Sequence, residues 1–372
     1  MTEGERMSRI CLVGAGELSR AHADALRGIA GHHIAAVVDP DINAAQRLAQ
    51  RTDARQVFTS VEAALAEAAF DRAHVLVPAE QHTAAALPVL AAGKPVLLEQ
   101  PLAASSEACN ALIAAAARSG AALGVNQGFV QHPAFTRLQE LVQNHELGRP
   151  VMVFCLRNVP LTEVARHPHD DLLLEYALHP LAQITALAGT IDKVRAFAGP
   201  LIDLAHGETF PSPLDMALTC EALPARLRLS LGRRKPLWQV TAICDDGVAV
   251  ADILENRIDT HGRTRWRDAL QDLSTDLAGA GSELNHAVRN ILDAATSLLW
   301  PKRSGNPVRI GMRRGIAQFH AALDAGLVLP PAMFDPKVAA GLVALCQRVG
   351  DQARRDPGPT GDRVGRMRTA AV

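Results

Sequence analysis

Predominantly apolar runs and alanine-rich amphipathic stretches alternate along the first 125 residues of the chain. Runs at 10–13, 34–38, 73–77, 95–98 and 121–125 have the texture of strands buried on both faces. Helical spacing fills 19–27, 43–51, 61–69, 82–92 and 105–118 between them. The alternation predicts an α/β unit built on a doubly wound parallel sheet. Ser105 or Ser106 is placed to cap the last of these helices, and Gly93 and Gly120 to end helices in the left-handed conformation.

A further helix is predicted from Pro133 to Gln143, and Gly148-Arg149-Pro150 then breaks the pattern. Beyond it the period changes to two. Strands are predicted at 151–158, 193–199, 215–223, 225–231, 237–244, 247–254 and 256–260, with Asp245-Asp246-Gly247 as a hairpin turn. This is the pattern of an open, mostly antiparallel sheet in an α+β domain, covered on one side by a helix at 172–188. Helices return at 282–299, 313–325 and 336–355, the last of them expected to pack back on the first unit. The chain thus divides into 1–125, 126–355 and a Pro-, Gly- and Arg-rich tail at 356–372 expected to be disordered.

Composition narrows the picture. A net charge of −1 over 372 residues offers no field for nucleic acid or an anionic membrane. No apolar run is long enough to span a bilayer, and Met1 to Arg6 lack the form of a signal peptide, so a cytoplasmic protein is expected. The six cysteines are scattered without metal-ligand or disulfide spacing, so no metal is expected.

The chemistry begins where the first strand ends. Gly14-Ala15-Gly16-Glu17-Leu18-Ser19 follows it and opens a helix. Gly14 permits the sharp turn, and Gly16 lets the backbone approach a pyrophosphate, with Glu17 and Leu18 at the helix start. Ser19 replaces the third glycine of the G-x-G-x-x-G pattern, a position that needs only a small side chain for helix–strand packing. Asp39, about 20 residues on, stands where a carboxylate accepts both ribose hydroxyls and repels a 2′-phosphate. The cofactor expected is NAD rather than NADP.

Ligands of such sheets bind beyond the carboxyl ends of the strands, and those ends are polar here. They read Pro78-Ala79-Glu80-Gln81-His82, then Glu99-Gln100-Pro101, then Asn126-Gln127. With His22, Gly93-Lys94-Pro95, Gly124-Val125 and Leu172 through Pro180, these residues resemble the glucose-fructose oxidoreductase, inositol dehydrogenase and rhizopine-catabolism family of sugar and polyol oxidoreductases. The resemblance implies that Pro78, His82, Glu99, Gln100 and Asn126 join Gly14, Gly16, Glu17, Leu18 and Asp39 around the cofactor. It also implies a polyhydroxylated substrate and a homodimer or homotetramer built on a 126–355 substrate-binding domain.

Glu175 and His179, four apart on the 172–188 helix, are expected to share one face, Glu175 positioning substrate and His179 exchanging a proton. One departure from the family is chemical: Gln100 stands where the family carries a lysine. An amide hydrogen-bonds but neither carries charge nor transfers a proton. Of the five lysines, Lys94 starts the strand that Glu99 ends and so lies at the wrong edge, leaving His179, Tyr176 or His132 as donors. Tyr176 reads best as a core aromatic. The missing lysine keeps three alternatives beside hydride transfer to a carbonyl: imine reduction on the same fold, a catalytically lapsed NAD or sugar sensor, and non-redox chemistry with tightly held NAD.

Overall fold

The computed structural model describes residues 7–164, 172–204, 209–262, 306–327, 329 and 335–355. The predicted helix at 282–299 and the 356–372 tail lie outside them.

Six parallel strands form the first sheet: β1 (Ser8–Val13), β2 (His32–Val38), β3 (Gln56–Phe58), β4 (Arg72–Val75), β5 (Val96–Glu99) and β6 (Leu123–Asn126), in spatial order β3-β2-β1-β4-β5-β6. The order reverses between β1 and β4, which opens a crevice at their carboxyl ends. Strand β3 went unpredicted because three half-buried residues carry no periodicity. The helices between the strands are α1 (Glu17–Leu26), α2 (Ile42–Thr52), α3 (Val61–Ala66), α4 (His82–Ala91) and α5 (Ser106–Ser119). Ser105 caps α5 by accepting from the Ala108 amide, and Gly120 ends it at φ 70°, both as the sequence indicates.

Helix α6 (Pro133–Gln143) leads into a seven-stranded sheet of order β15-β14-β13-β7-β12-β11-β8. Its strands are β7 (Pro150–Val159), β8 (Ile191–Ala198), β11 (Leu214–Cys220), β12 (Ala225–Leu231), β13 (Leu237–Cys244), β14 (Gly247–Asp252) and β15 (Arg257–Gly262). All pairs are antiparallel except β7 with β12, and the predicted hairpin joins β13 to β14. A separate ribbon of β9 (Leu201–Asp203) and β10 (Thr209–Pro211) was not foreseen. Val153, Cys155, Arg157, Leu227, Leu229, Trp238, Val240 and Ala242 line the buried face.

The helix predicted at 172–188 is divided. Short helices α7 (Leu161–Val164) and α8 (Leu172–Tyr176) precede α9 (Leu178–Ala188), and Ala177 is a turn between the last two.

Two C-terminal helices close the first sheet. Pro336–Arg355 packs on α5, α9 and β8. Pro307–Asp324 starts earlier than the predicted 313–325, because Asn306 caps it by accepting from the Val308 amide and Pro307 suits the first turn. Met312, Ile316 and Phe319 of that helix join Ile10, Leu12, Leu26, Val37 and Leu97 in one core cluster, so a segment late in the chain completes the face beside α1. Glycine makes the contact possible: a Cβ on Gly311 would stand 2.1 Å from the Gly128 carbonyl oxygen, and one on Gly315 2.0 Å from Asn126 Oδ1.

Candidate functional site

The glycine turn sits at the switch point. Gly14 has φ 103°, and a Cβ there would lie 2.6 Å from the Leu76 carbonyl oxygen, so both conformation and space demand glycine. Gly16 is the N-terminal boundary of α1, where no side chain caps the helix and a Cβ would meet nothing within 4 Å. Unclaimed helix N–H groups facing open space fit a pyrophosphate. Glu17 and Leu18 are exposed at this edge, and Ser19 is fully buried, as a small packing residue should be. Asp39, at the exit of β2, accepts from the Ala15 amide at 2.7 Å and from the Asp41 amide at 2.9 Å. These bonds orient the carboxylate beside the turn and leave further lone pairs for hydroxyl donors.

The β4 exit behaves differently from expectation. Pro78 precedes a single 3₁₀ turn, and His82 is buried with Nδ1 3.1 Å from the Leu102 carbonyl and Nε2 3.0 Å from that of Val77. Both ring nitrogens are engaged by backbone. Direct contact of His82 with a cofactor therefore gives way to a supporting role, tying the β4 and β5 exits together.

At the β5 exit two neighbours face two systems. Glu99 Oε1 accepts from Asn126 Nδ2 at 2.6 Å and lies 2.7 Å from His22 Nε2. Gln100 Oε1 lies 3.0 Å from His179 Nδ1. Gln100 and His179, each expected in the catalytic site, are thus brought together, though their direct contact was not foreseen. His179 rests on Phe129 with ring centroids 4.7 Å apart, and Phe129 rests on Trp238 at 4.4 Å. Burial, helped by the charge of Arg157, pushes the His179 imidazole down to about 4, so it is neutral at physiological pH. With Gln100 accepting from Nδ1–H, Nε2 keeps its lone pair and is a base.

Glu175 does not join them. The break at Ala177 puts it on α8 rather than on the His179 helix, and it is exposed. Tyr176 is 4% exposed, a core aromatic whose hydroxyl is pushed up to about 12 by burial. His132 is fully buried and held down to about 4 by desolvation. Lys94 donates to the Phe70 carbonyl at 2.8 Å, away from the crevice. Among the described residues no group of His, Cys, Asp or Glu has the arrangement to hold a metal, and no helix is long and apolar enough to cross a membrane.

Several contributors escaped the sequence. Arg157 lies over the Trp238 ring at 4.6 Å and pairs with Glu163 at 3.2 Å. Trp238 Nε1 donates to Gln183 Oε1 at 3.0 Å, and Gln183 Nε2 donates to the Phe129 carbonyl at 3.1 Å, which fixes the ring under His179. The signal available was an arginine and a tryptophan at inward positions of otherwise apolar strands.

Residues 8–127 match the family described as an oxidoreductase family with an NAD-binding Rossmann fold. The inositol 2-dehydrogenase of Corynebacterium glutamicum is 30% identical over 186 residues, 49% of this chain and 54% of that protein. The chain thus spans about half the length of the curated relatives it matches. Among solved structures, an Agrobacterium radiobacter oxidoreductase in complex with NAD+, L-tartaric acid and magnesium superposes with a TM-score of 0.75 at 12% identity, covering 94% of this chain and 96% of the other. The UDP-N-acetylglucosamine 3-dehydrogenase of Acidithiobacillus ferrooxidans gives 0.68 at 21% identity over 93% and 97%. At these identities the structures establish a shared fold.

Proposed function

We propose that the chain, whose residues 8–127 match an oxidoreductase family with an NAD-binding Rossmann fold, is a member of the glucose-fructose oxidoreductase, inositol dehydrogenase and rhizopine-catabolism family and an NAD-dependent oxidoreductase of a sugar, cyclitol or nucleotide sugar. The observation that carries the reading is the neutral His179 held 3.0 Å from Gln100, one residue beyond Glu99 at the end of β5.

The nicotinamide, when bound, supplies the hydride acceptor or donor. The chain supplies the rest. In the oxidative direction His179 Nε2 takes the substrate hydroxyl proton, while Gln100 holds the ring through Nδ1–H. Gln100 therefore orients the base instead of donating a proton as lysine would. Phe129 packs against the imidazole and is itself backed by Trp238. Glu99, doubly supported by His22 and Asn126, presents a carboxylate at the same edge. Asp39 selects NAD, since a 2′-phosphate beside an oriented carboxylate is repelled.

A homodimer through the outer face of the seven-stranded sheet is part of the proposal. Met152, Phe154, Leu156, Ile243, Val248 and Val250 stand on that face in register, and Ile243 is 37% exposed. Light scattering that gives a monomer at micromolar concentration would remove this part.

The central test releases any dinucleotide from purified protein, identifies it, and then follows nicotinamide absorbance against a panel of cyclitols, sugars and nucleotide sugars. Bound NAD with reversible reduction is expected. Absence of any dinucleotide binding ends the reading, and binding without turnover across the panel ends its catalytic half.

A further inference from the structure

Behind Glu99 a row of buried imidazoles crosses the first sheet to the opposite surface. His22 Nε2 is 2.7 Å from Glu99 Oε1, and His22 Nδ1 is 3.0 Å from His74 Nδ1. His74 Nε2 is 3.0 Å from His320 Nε2, and His320 Nδ1 is 3.1 Å from an Arg72 guanidinium nitrogen. Arg72 also donates to Asp324 at 2.6 Å, and Asp324 is 46% exposed. His22, His74 and His320 are each fully buried. His32 stands beside the far end, with Nε2 3.2 Å from both Arg72 and Asp324 and Nδ1 2.8 Å from the Ala30 carbonyl.

A neutral imidazole has one N–H and one lone pair, so a row of three can point only one way at a time. Here both ends choose the same way. Arginine only donates, so His320 Nδ1 must accept, which leaves Nε2–H to donate to His74. His74 then donates from Nδ1 to His22, and His22 donates from Nε2 to the Glu99 carboxylate, which only accepts when ionised. The reverse polarity would set N–H against N–H at Arg72 and demand a protonated Glu99. Desolvation, with the neighbouring His22 and Arg72, holds His74 and His320 far below the usual histidine range, so these two rings are neutral. Asn126 adds a second donor to Glu99 Oε1.

We propose that Arg72 is a remote positioning residue that sets the direction of the His320–His74–His22 row and thereby aims the His22 Nε2–H donor that fixes Oε1 of Glu99. Arginine does not release its proton at working pH, so the row orients and does not shuttle. The role of Glu99 in turnover rests on the oxidoreductase reading above. The polarity of the row does not.

Nitrogen-15 NMR of histidine-labelled wild-type protein, without cofactor at neutral pH, reads the polarity directly. Expected are N–H on Nε2 of His22 and His320 and on Nδ1 of His74, with couplings across both N–H···N bonds. The opposite tautomer at any of the three, or a protonated His74 or His320, overturns the proposal. Kinetics adds the consequence. Arg72→Met is expected to lower kcat on the order of tenfold with KM for NAD unchanged. Arg72→Lys, which still only donates, is expected to restore most of the rate. Equal losses in both variants, or a loss in KM with kcat unchanged, would reduce Arg72 to a structural residue and refute the positioning role. If the wild type shows no turnover with any substrate, the oxidoreductase reading fails alone, because the tautomer pattern is read without it.

Discussion

Glu99 and Gln100 are adjacent, yet they answer to opposite chemistries. The acid faces into the parallel sheet and ends a polarised row of imidazoles anchored by Arg72. The amide faces the second sheet and holds one imidazole in an aromatic enclosure. On the acid's side both neighbours hold the carboxyl through Oε1. On the amide's side charge is excluded, so the histidine remains a base. A lysine at 100 would place a cation against His179 and near Arg157, where like charges already disfavour protonation. On the proposed reading, the comparison assigns orientation to Gln100 and proton exchange to His179.

The largest expected effect breaks the amide's side. His179→Ala should lower kcat by about two to four orders of magnitude while NAD affinity, measured by fluorescence titration, stays within about twofold. Full turnover in that variant would return the proton to another group. On the acid's side the supports are structural as well, so stability reports first. Phe319→Ala, next to His320 and fully buried against Gly124, should cost about 3–5 kcal/mol in denaturant unfolding. Gly315→Ala is milder. Its Cβ would fall on Asn126 Oδ1, displacing the amide that donates to Glu99, at about 1–3 kcal/mol with a fall in kcat.

Acid should strain both sides together. His179 and His132 titrate near 4 in the folded protein, and burial also holds His74 well below the usual histidine range, against about 6.5 in the unfolded chain. Between those values the unfolded chain binds more protons, so stability is complete above about pH 6.5 and is lost as pH falls toward 4. A melting temperature that is flat across this window would contradict neutral burial. The smallest effect belongs to the exposed end: Asp324→Asn should cost at most about 1 kcal/mol, because nearly half of its side chain is in water.

What the sequence revealed of this division was its local part. Gly14, Gly16 and Asp39 were legible because a turn, a helix start and a strand end lie within one supersecondary unit. Motif placement put Gln100 and His179 in one cleft but not in contact, and it misplaced Glu175, since helical spacing cannot register a one-residue break such as Ala177. The imidazole row was out of reach: His74 and His320 are 246 positions apart. Its traces were a histidine within the apolar run of β4 and a Gly-x-x-x-Gly at 311–315 that brings the late helix against Asn126.

That late helix also sets an order of events during synthesis. At typical elongation rates, on the order of ten seconds or more separate the emergence of β6 from that of Phe319 and His320. Until then the nascent sheet shows an open notch at Gly124 and a histidine on β4 with one side unpaired. The dinucleotide-binding half is therefore not a self-sufficient module that could be transplanted as residues 8–127. It is a sheet that waits for its last wall.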